Sequence, residues 1–395
     1  RTPGQTAQMV ALAAAYGLPV TPRGAGTGLA GAALGSGLVV DCARHQRSVR
    51  WIEREAQTAY VEPGVVLDQL NRAAAEQGLC FGPDVATSSR ATLGGMIANN
   101  SSGARVPYYG VTIDHVRAVD VVLADGRAAR LTADGGDLGT LAREIAALLD
   151  PYASRIAEQM HAGVIKRWPG YGIDRYLRDG HDLTRVLGGS EGTLALITGA
   201  EVRLSPLPQR KALGVVFFAS VQEAMQATVE LLPLQPAAIE HIDDVLFEQT
   251  RGQLPFAEAR DLLELDTHPC ISLLVVEFYD DDADEKLAAL EAKNLGLRTL
   301  RCTTPQEMAH VWNLRKAGLA LLTGRKGAAK PATGIEDAAV PPARLPEYVD
   351  ALHAIMDPLG VRGSFYGHAA SGLLHVRPIL DLHDPGDIQK LRHLA

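Results

Sequence analysis

Two histidines stand seven residues apart in the run Tyr366-Gly367-His368-Ala369-Ala370-Ser371-Gly372-Leu373-Leu374-His375. That spacing is two helical turns or the two arms of a tight hairpin, and Gly367 and Gly372 favour the hairpin. A hairpin would bring both imidazoles to one metal ion, although a bare histidine pair is more often structural. A second chemical candidate is Arg315, in Trp312-Asn313-Leu314-Arg315-Lys316. A guanidinium grips a carboxylate through two parallel hydrogen bonds, and the plain alternative is a solvated arginine on a helix surface. The third feature is three glycine clusters: Gly24-Ala25-Gly26-Thr27-Gly28, Leu93-Gly94-Gly95 and Leu187-Gly188-Gly189-Ser190-Glu191-Gly192-Thr193-Leu194. A diphosphate needs several backbone N–H groups aimed at it with no Cβ in the way, and Gly24 to Gly28 meets that need best. Gly94-Gly95 and Gly188-Gly189 would let backbone approach a flat ring. With 39 glycines in the chain, any one cluster could be a plain turn. Gly26-x-Gly28-x-x-Gly31 matches the bare dinucleotide fingerprint, but Ala32 to Gly37 is too glycine-rich for the helix that must follow, so a Rossmann domain is the weaker reading.

The elements that must position these residues follow from periodicity. Thr6 to Tyr16 reads as a helix, Pro19 to Pro22 as an extended run, and Leu38-Val39-Val40-Asp41 and Ala59-Tyr60-Val61-Glu62 as strands. Val66 to Glu76 is an amphipathic helix stopped at Gly78. Val116 to Leu123 is a strand, with a hairpin turn at Asp125-Gly126. After Pro206 and Pro208, strands (Val215 to Phe218, Ser272 to Phe278) alternate with longer helices (Val221 to Leu231, Asp284 to Ala292). This predicts an α+β chain whose second part is an antiparallel sheet covered on one side by helices, with a boundary near residue 207.

Composition bounds the rest. The chain has 395 residues, 47% hydrophobic and 21% charged, which is ordinary for a globular protein with a sizeable core. A net charge of -8 without a basic block argues against a nucleic-acid partner. No apolar run reaches the roughly 18 residues of a spanning helix. Cys42, Cys80, Cys270 and Cys302 are far apart with no CxxC spacing, so an iron–sulfur cluster or zinc site held by them is not expected. Thinly spread cysteines fit a reducing compartment. We therefore expect a cytoplasmic protein, with a peripheral seat at the inner membrane face as the other placement. The chain opens on Arg1-Thr2-Pro3 directly before a helical pattern and closes on Leu391 to Ala395 apparently within another. It reads as a piece of a longer polypeptide, truncated at both ends.

The glycine clusters carry a specific resemblance. Pro22-Arg23-Gly24-Ala25-Gly26-Thr27-Gly28 resembles the first FAD-binding loop of the vanillyl-alcohol oxidase (PCMH) type flavoproteins. Thr92 to Gly103 resembles their second loop, Gly110 to Val116 the segment after it, and Leu187 to Leu194 with Ile197 the third. The order and spacing agree along nearly the whole chain. The resemblance implies a two-subdomain PCMH-type FAD-binding domain over 1–207 and an α+β substrate (cap) domain with an antiparallel sheet over 208–395. It implies FAD contacts from Arg23, Gly24, Ala25, Gly26, Thr27, Gly28, Thr92, Gly94, Gly95, Ala98, Asn99, Ser102, Gly103, Asp114, His115, Val116, Glu191, Gly192, Thr193 and Ile197. Members that tether FAD covalently carry a histidine in the first loop. This chain has Gly26-Thr27 there, so non-covalent FAD is expected.

The histidine run resembles the GHxxxGxxH metal motif of the D-lactate and D-2-hydroxyglutarate dehydrogenases, with Ser371-Gly372-Leu373 in place of the usual Asp-Gly-Asn. That implies a divalent metal (zinc, manganese or iron) on His368 and His375, with His368 catalytic. It also implies Arg315 as the substrate-carboxylate arginine and Lys330 as a second carboxylate-binding residue. Glu336-Asp337 resembles the family's acidic-apolar run and reads as structural. The family's Gly-Glu-His segment does not occur before Ala395, and long homologues continue into an iron–sulfur domain of which the sequence shows no trace. The implied function is FAD-dependent oxidation of a small D-2-hydroxy acid, with electrons leaving to an iron–sulfur domain or other acceptor. The rivals are a non-redox flavoenzyme of the alkyl-dihydroxyacetone-phosphate synthase type and a catalytically silent FAD-binding subunit.

Overall fold

Thr2 opens the first helix. Its hydroxyl accepts from the Gln5 N–H, the Gln5 side chain answers the Thr2 N–H, and Pro3 fills the first turn, so the helix runs Pro3–Ala15. The computed structural model describes residues 2–160, 163–166 and 170–395. Contacts divide the chain into two units: one drawn from residues up to 207, the other from 208–395 with Val106–Tyr108 and the described part of 163–167.

In the N-terminal unit, β1 (Val20–Arg23) and β2 (Leu38–Asp41) pair in parallel. The main sheet of this unit joins β3 (Val49–Glu53), β4 (Thr58–Val61), β6 (Val116–Leu123), β7 (Ala128–Thr132) and β8 (Ala195–Arg203), after a short ladder of β5 (Leu79–Cys80) with β9 (Ser205–Pro206). Its order is β3-β4-β8-β6-β7, antiparallel throughout. The β6–β7 turn falls at Asp125-Gly126, as the sequence predicts, with Gly126 at φ 86°.

The C-terminal unit is built on β10 (Lys211–Phe218), β11 (Ala238–Asp243), β12 (Ser272–Tyr279), β13 (Arg298–Cys302), β14 (Lys330–Pro331), β15 (Ile335–Ala339), β16 (Gly363–His368) and β17 (Leu373–Leu380). The order is β13-β10-β12-β11-β16-β17-β14, with β15 also on β17, all antiparallel. The expected α+β architecture with an antiparallel C-terminal sheet is present.

Alternation along the strands gives this sheet two different faces. Val216, Phe218, Ile239, Leu274, Val276, Phe278, Phe365, Leu374 and Val376 point one way. They pack against the helices Val221–Leu231, Ala283–Ala292, Leu345–Met356 and Pro385–Leu394. Each such fully buried side chain contributes about 1.5–3 kcal/mol. On the other face, the register sets Glu240 opposite His368, Tyr366 opposite His375 and Ser364 opposite Arg377. The helix Pro305–Lys316, started by a Thr304–Glu307 capping box, lies on this face. Its Trp312 donates to Glu277 at 3.1 Å, and Arg315, one turn on, reaches Glu240.

Candidate functional site

The glycine loops, far apart in sequence, meet in the N-terminal unit. A Cβ on Gly24 would stand 2.2 Å from Thr92 Oγ1, and one on Gly192 would stand 2.9 Å from Pro22, so the first loop touches both others through missing side chains. Asn99 Nδ2 donates to Glu191 Oε1 at 2.6 Å, and the Gly189 and Glu191 N–H groups both donate to the Ala98 carbonyl. Gly26 has φ 65°, a conformation costly for any residue with a Cβ.

The residues expected to contact FAD sort by exposure. Arg23, Ala25, Gly26, Gly28, Gly95, Asn99, Glu191 and Thr193 are exposed along the loops, and Gly24, Thr27, Ala98, Ser102 and Gly192 are half-buried. Asp114 accepts from the Val111 N–H at 2.9 Å and pairs with Arg175. His115 Nε2 contacts the Tyr109 carbonyl at 2.7 Å, and burial holds its pKa below the ordinary value. Val116, Ile197 and Gly103 are buried. Gly94 and Gly189 pack on Pro63 and the Gly170 carbonyl, so their lack of a Cβ serves internal contacts. Buried Thr92 Oγ1 and the shielded hydroxyl of half-buried Ser102 have no hydrogen-bond partner among the described residues. Two unsatisfied hydroxyls beside a Cβ-free backbone fit a bound diphosphate group. The residues present therefore fit FAD.

The second constellation lies on the charged face of the C-terminal sheet. The β16–β17 hairpin forms as the spacing predicts, with Gly372 at φ 75° and close against the Val340 carbonyl. His368 and His375 project from the same face, ring centroids 5.3 Å apart at 78°. Each imidazole has a carboxylate at Nδ1: Glu240 Oε1 at 2.8 Å from His368, and Asp337 Oδ1 at 2.5 Å from His375. Asp337 was expected to be structural. The structure instead puts it at a register shift of β15 with φ 63°, where an extra residue re-aims its carboxylate at His375. Metal-bound histidines carry this second contact. No group of three or more His, Cys, Asp or Glu residues with metal-holding geometry occurs among the described residues.

Charge is concentrated here. Glu240 is fully buried, and its Oε2 lies 2.6 Å from Arg315 Nη2. Burial pushes the Glu240 carboxyl above its ordinary range, opposed by Arg315 and Lys166. Burial, then the charges of Lys166 and Arg315, hold His368 well below the ordinary imidazole value. Burial also acts upward on Asp337, but the hydrogen bond and charge of His375 bring it below the usual carboxylate range. Arg315 is 6% exposed, and its Nε and Nη2, like Glu240 Oε2, have no hydrogen-bond partner among the described residues, so the 2.6 Å contact is an ion pair without hydrogen-bond alignment. Arg315 and Arg377 flank Tyr366, with Cζ atoms 5.3 and 5.8 Å from the ring centroid.

The structure thus joins Arg315, His368 and His375. It does not bring Lys330 to them: Lys330 is exposed, and its Nζ donates to the Arg325 carbonyl. Sequence reasoning missed Glu240, Lys166, Asp337 and Arg377. Lys166, 2% exposed, acts electrostatically on Glu240, Asp337 and His368. For Glu240 a signal existed: Ala-Ile-Glu-His-Ile-Asp is a strand with all six residues buried and three of them ionisable.

Residues 1–132 match the FAD binding domain family, and residues 207–395 match the family described as FAD linked oxidases, C-terminal domain. The D-2-hydroxyglutarate dehydrogenase of Pantoea ananatis (strain AJ13355) is 32% identical over 98% of this chain and 41% of its own length. The D-lactate dehydrogenase of Archaeoglobus fulgidus is 30% identical over 92% of this chain and 70% of its own. This chain spans about two fifths of the length of the D-2-hydroxyglutarate dehydrogenases it matches. Among solved structures, an alkyldihydroxyacetonephosphate synthase superposes with a TM-score of 0.67 at 16% identity, covering 98% of this chain and 68% of that one. A p-cresol methylhydroxylase gives 0.65 at 16%, covering 100% and 76%. Among the described residues no helix is long and apolar enough to cross a membrane. The chain belongs to the FAD-linked oxidase family, in which an FAD-binding domain precedes the FAD-linked oxidase C-terminal domain.

Proposed function

We propose that this chain is the flavin-bearing part of a dehydrogenase that oxidises a small D-2-hydroxy acid to the 2-oxo acid. Residues 1–207 would hold non-covalent FAD and 208–395 the substrate, with electrons passing on to an iron–sulfur domain or another acceptor. The observation that carries the reading is the pair of imidazoles, each tied to a carboxylate at Nδ1, beside buried cations on one sheet face. The names of the similar dehydrogenases support it.

The residues divide the work. Arg315 Nε, buried and without a partner among the described residues, would grip the substrate carboxylate, with Lys166 adding positive charge. His368 and His375 would face the hydroxyl through Nε2, where they would hold a divalent cation of the zinc, manganese or iron kind. Such a cation, when bound, lowers the pKa of a ligated hydroxyl. FAD, when bound, supplies the two-electron acceptor for the α-hydrogen.

A flavin-reduction screen with D-lactate, D-2-hydroxyglutarate and glycolate on the full-length protein tests the reading. Bleaching by one or more of these acids is expected. A flavin that no 2-hydroxy acid reduces would leave the silent subunit or the non-redox flavoenzyme in its place.

A further inference from the structure

Glu240 faces two partners at once. It lies on β11 directly opposite His368 on β16. Its Oε1 is 2.8 Å from His368 Nδ1 and its Oε2 is 2.6 Å from Arg315 Nη2. That second contact is an ion pair rather than an aligned hydrogen bond, and a guanidinium has only donors, so Oε2 faces no acceptor there. The guanidinium 2.6 Å from Oε2 favours the carboxylate form, in which Oε1 is an acceptor too. A neutral imidazole has one ring proton, and an acceptor at Nδ1 draws that proton there.

We propose that Glu240 is a positioning residue: it holds His368 as the Nδ1–H tautomer and so keeps the Nε2 lone pair available. Glu240 does so while restraining Arg315, so one carboxylate sets both the imidazole tautomer and the guanidinium position.

This arrangement makes an isosteric substitution informative. In Glu240→Gln, one side-chain atom becomes an NH₂ donor. Arg315 cannot accept a hydrogen bond, whereas an imidazole nitrogen can. The amide oxygen must therefore turn to Arg315 and the NH₂ to His368 Nδ1. Nδ1 becomes an acceptor and the ring proton moves to Nε2. Shape and packing are kept while the available nitrogen is reversed. The tautomer follows from contacts alone; its consequence for turnover rests on reading this cluster as the hydroxy-acid site.

Long-range ¹H–¹⁵N correlation of histidine-labelled, FAD-loaded, chelator-treated protein reads the tautomer, with the His368 signal assigned by its loss in His368→Asn. In the unsubstituted protein, the nitrogen coupled to both ring carbon protons, Nε2, should show the pyridine-type shift. In Glu240→Gln it should show the pyrrole-type shift, with FAD content unchanged and flavin reduction by hydroxy acid at least about tenfold slower. Adding Arg315→Met to Glu240→Gln removes the competing donor and should return the proton to Nδ1. An Nε2–H ring in the unsubstituted protein overturns the proposal without any variant. So does an Nδ1–H ring in well-folded Glu240→Gln. A reversed tautomer with unchanged flavin reduction upholds the tautomer assignment but overturns both the positioning role in turnover and the reading of this face as the substrate site.

Discussion

At the glycine loops of the N-terminal unit, the surface is made by what the residues lack. Gly24 meets Thr92 where any Cβ would collide, and Gly26 takes a φ that a Cβ would oppose. On the C-terminal sheet the reverse holds. Glu240, Arg315, Lys166, His368 and Arg377 carry large polar side chains into the interior. A loop that offers backbone N–H groups is made by short stretches of consecutive residues. A buried charge cluster needs partners for every charge, because removing one leaves the other desolvated and unpaired, at a cost of about 3–5 kcal/mol. It must therefore be gathered from several strands and a helix. The first kind of site tolerates almost no added volume; the second tolerates little change of charge.

The largest expected effect tests the first half of that contrast. Gly26→Val places a β-branched side chain at φ 65°, with its Cβ 3.2 Å from the Arg23 guanidinium. Flavin absorbance of the purified protein should vanish while the fold persists by circular dichroism. Full flavin content would show that this loop is not the cradle. In the normal protein the flavin should be released by acid precipitation, and flavin retained in the pellet would refute non-covalent attachment.

The next effect tests the second half. His368→Ala should leave flavin content intact and slow its reduction by 2-hydroxy acid about 10²–10³-fold, the usual loss when one charge-stabilising group is removed. A rate equal to that of the unsubstituted protein would make the two imidazoles core residues.

A smaller loss discriminates between two lysines. Lys166 lies buried among the charges, whereas Lys330 is exposed and bonded to the Arg325 carbonyl. A hydrogen bond to a charged group is worth about 1.5–3 kcal/mol, so Lys166→Met should cost about 10–100-fold in kcat/KM. Lys330→Met should cost less. Equal losses would mean that the surface lysine also reaches the substrate, as the sequence resemblance implied.

The same contrast governs what could be read from the sequence. The strands Val116–Leu123 and Leu38–Asp41 and the helix Val221–Leu231 were legible to the residue, because period and turn residues mark them locally. The loops were legible because each is a contiguous run. His368 and His375 were legible because a hairpin relates neighbours. Glu240 was not, since it meets His368 128 residues further along the chain through the strand order β11–β16. The approach of Asp337 to His375 was not legible for a related reason: a single register shift decides where its carboxylate points, and periodicity carries no trace of it.

The smallest effect is a pH dependence concealed by opposition. Burial pushes Asp243 up to about 7, against the hydrogen bonds it accepts from the Phe365 and Leu246 N–H groups and from Ser364, with Asp244 adding negative charge. Burial holds His241 down to about 3; a backbone contact to Phe365 and the charge of Glu240 oppose this, Arg315 reinforces it, and Ser272 is its side-chain partner. In an unfolded chain the ordinary values are 3.8 and 6.5. Between about pH 4 and 6.5 the folded protein keeps a proton on Asp243 that the unfolded chain gives up, so this group's contribution falls as pH rises. Over the same range the unfolded chain protonates His241 and the folded protein does not, so that contribution grows as pH rises. Each slope is at most about 1.4 kcal/mol per pH unit, and the two have opposite signs. Together they should leave stability nearly level from this pair, and single substitutions should uncover each. Urea midpoints of Asp243→Asn should climb from pH 4 to 6.5 relative to the unsubstituted protein, and those of His241→Asn should fall. Gly26 lies outside this pair, so Gly26→Val should leave the pH profile of stability in place. Parallel profiles for all four proteins would mean that Asp243 and His241 ionise in the fold as they do in water, and strand β11 would then be less dry than its burial implies.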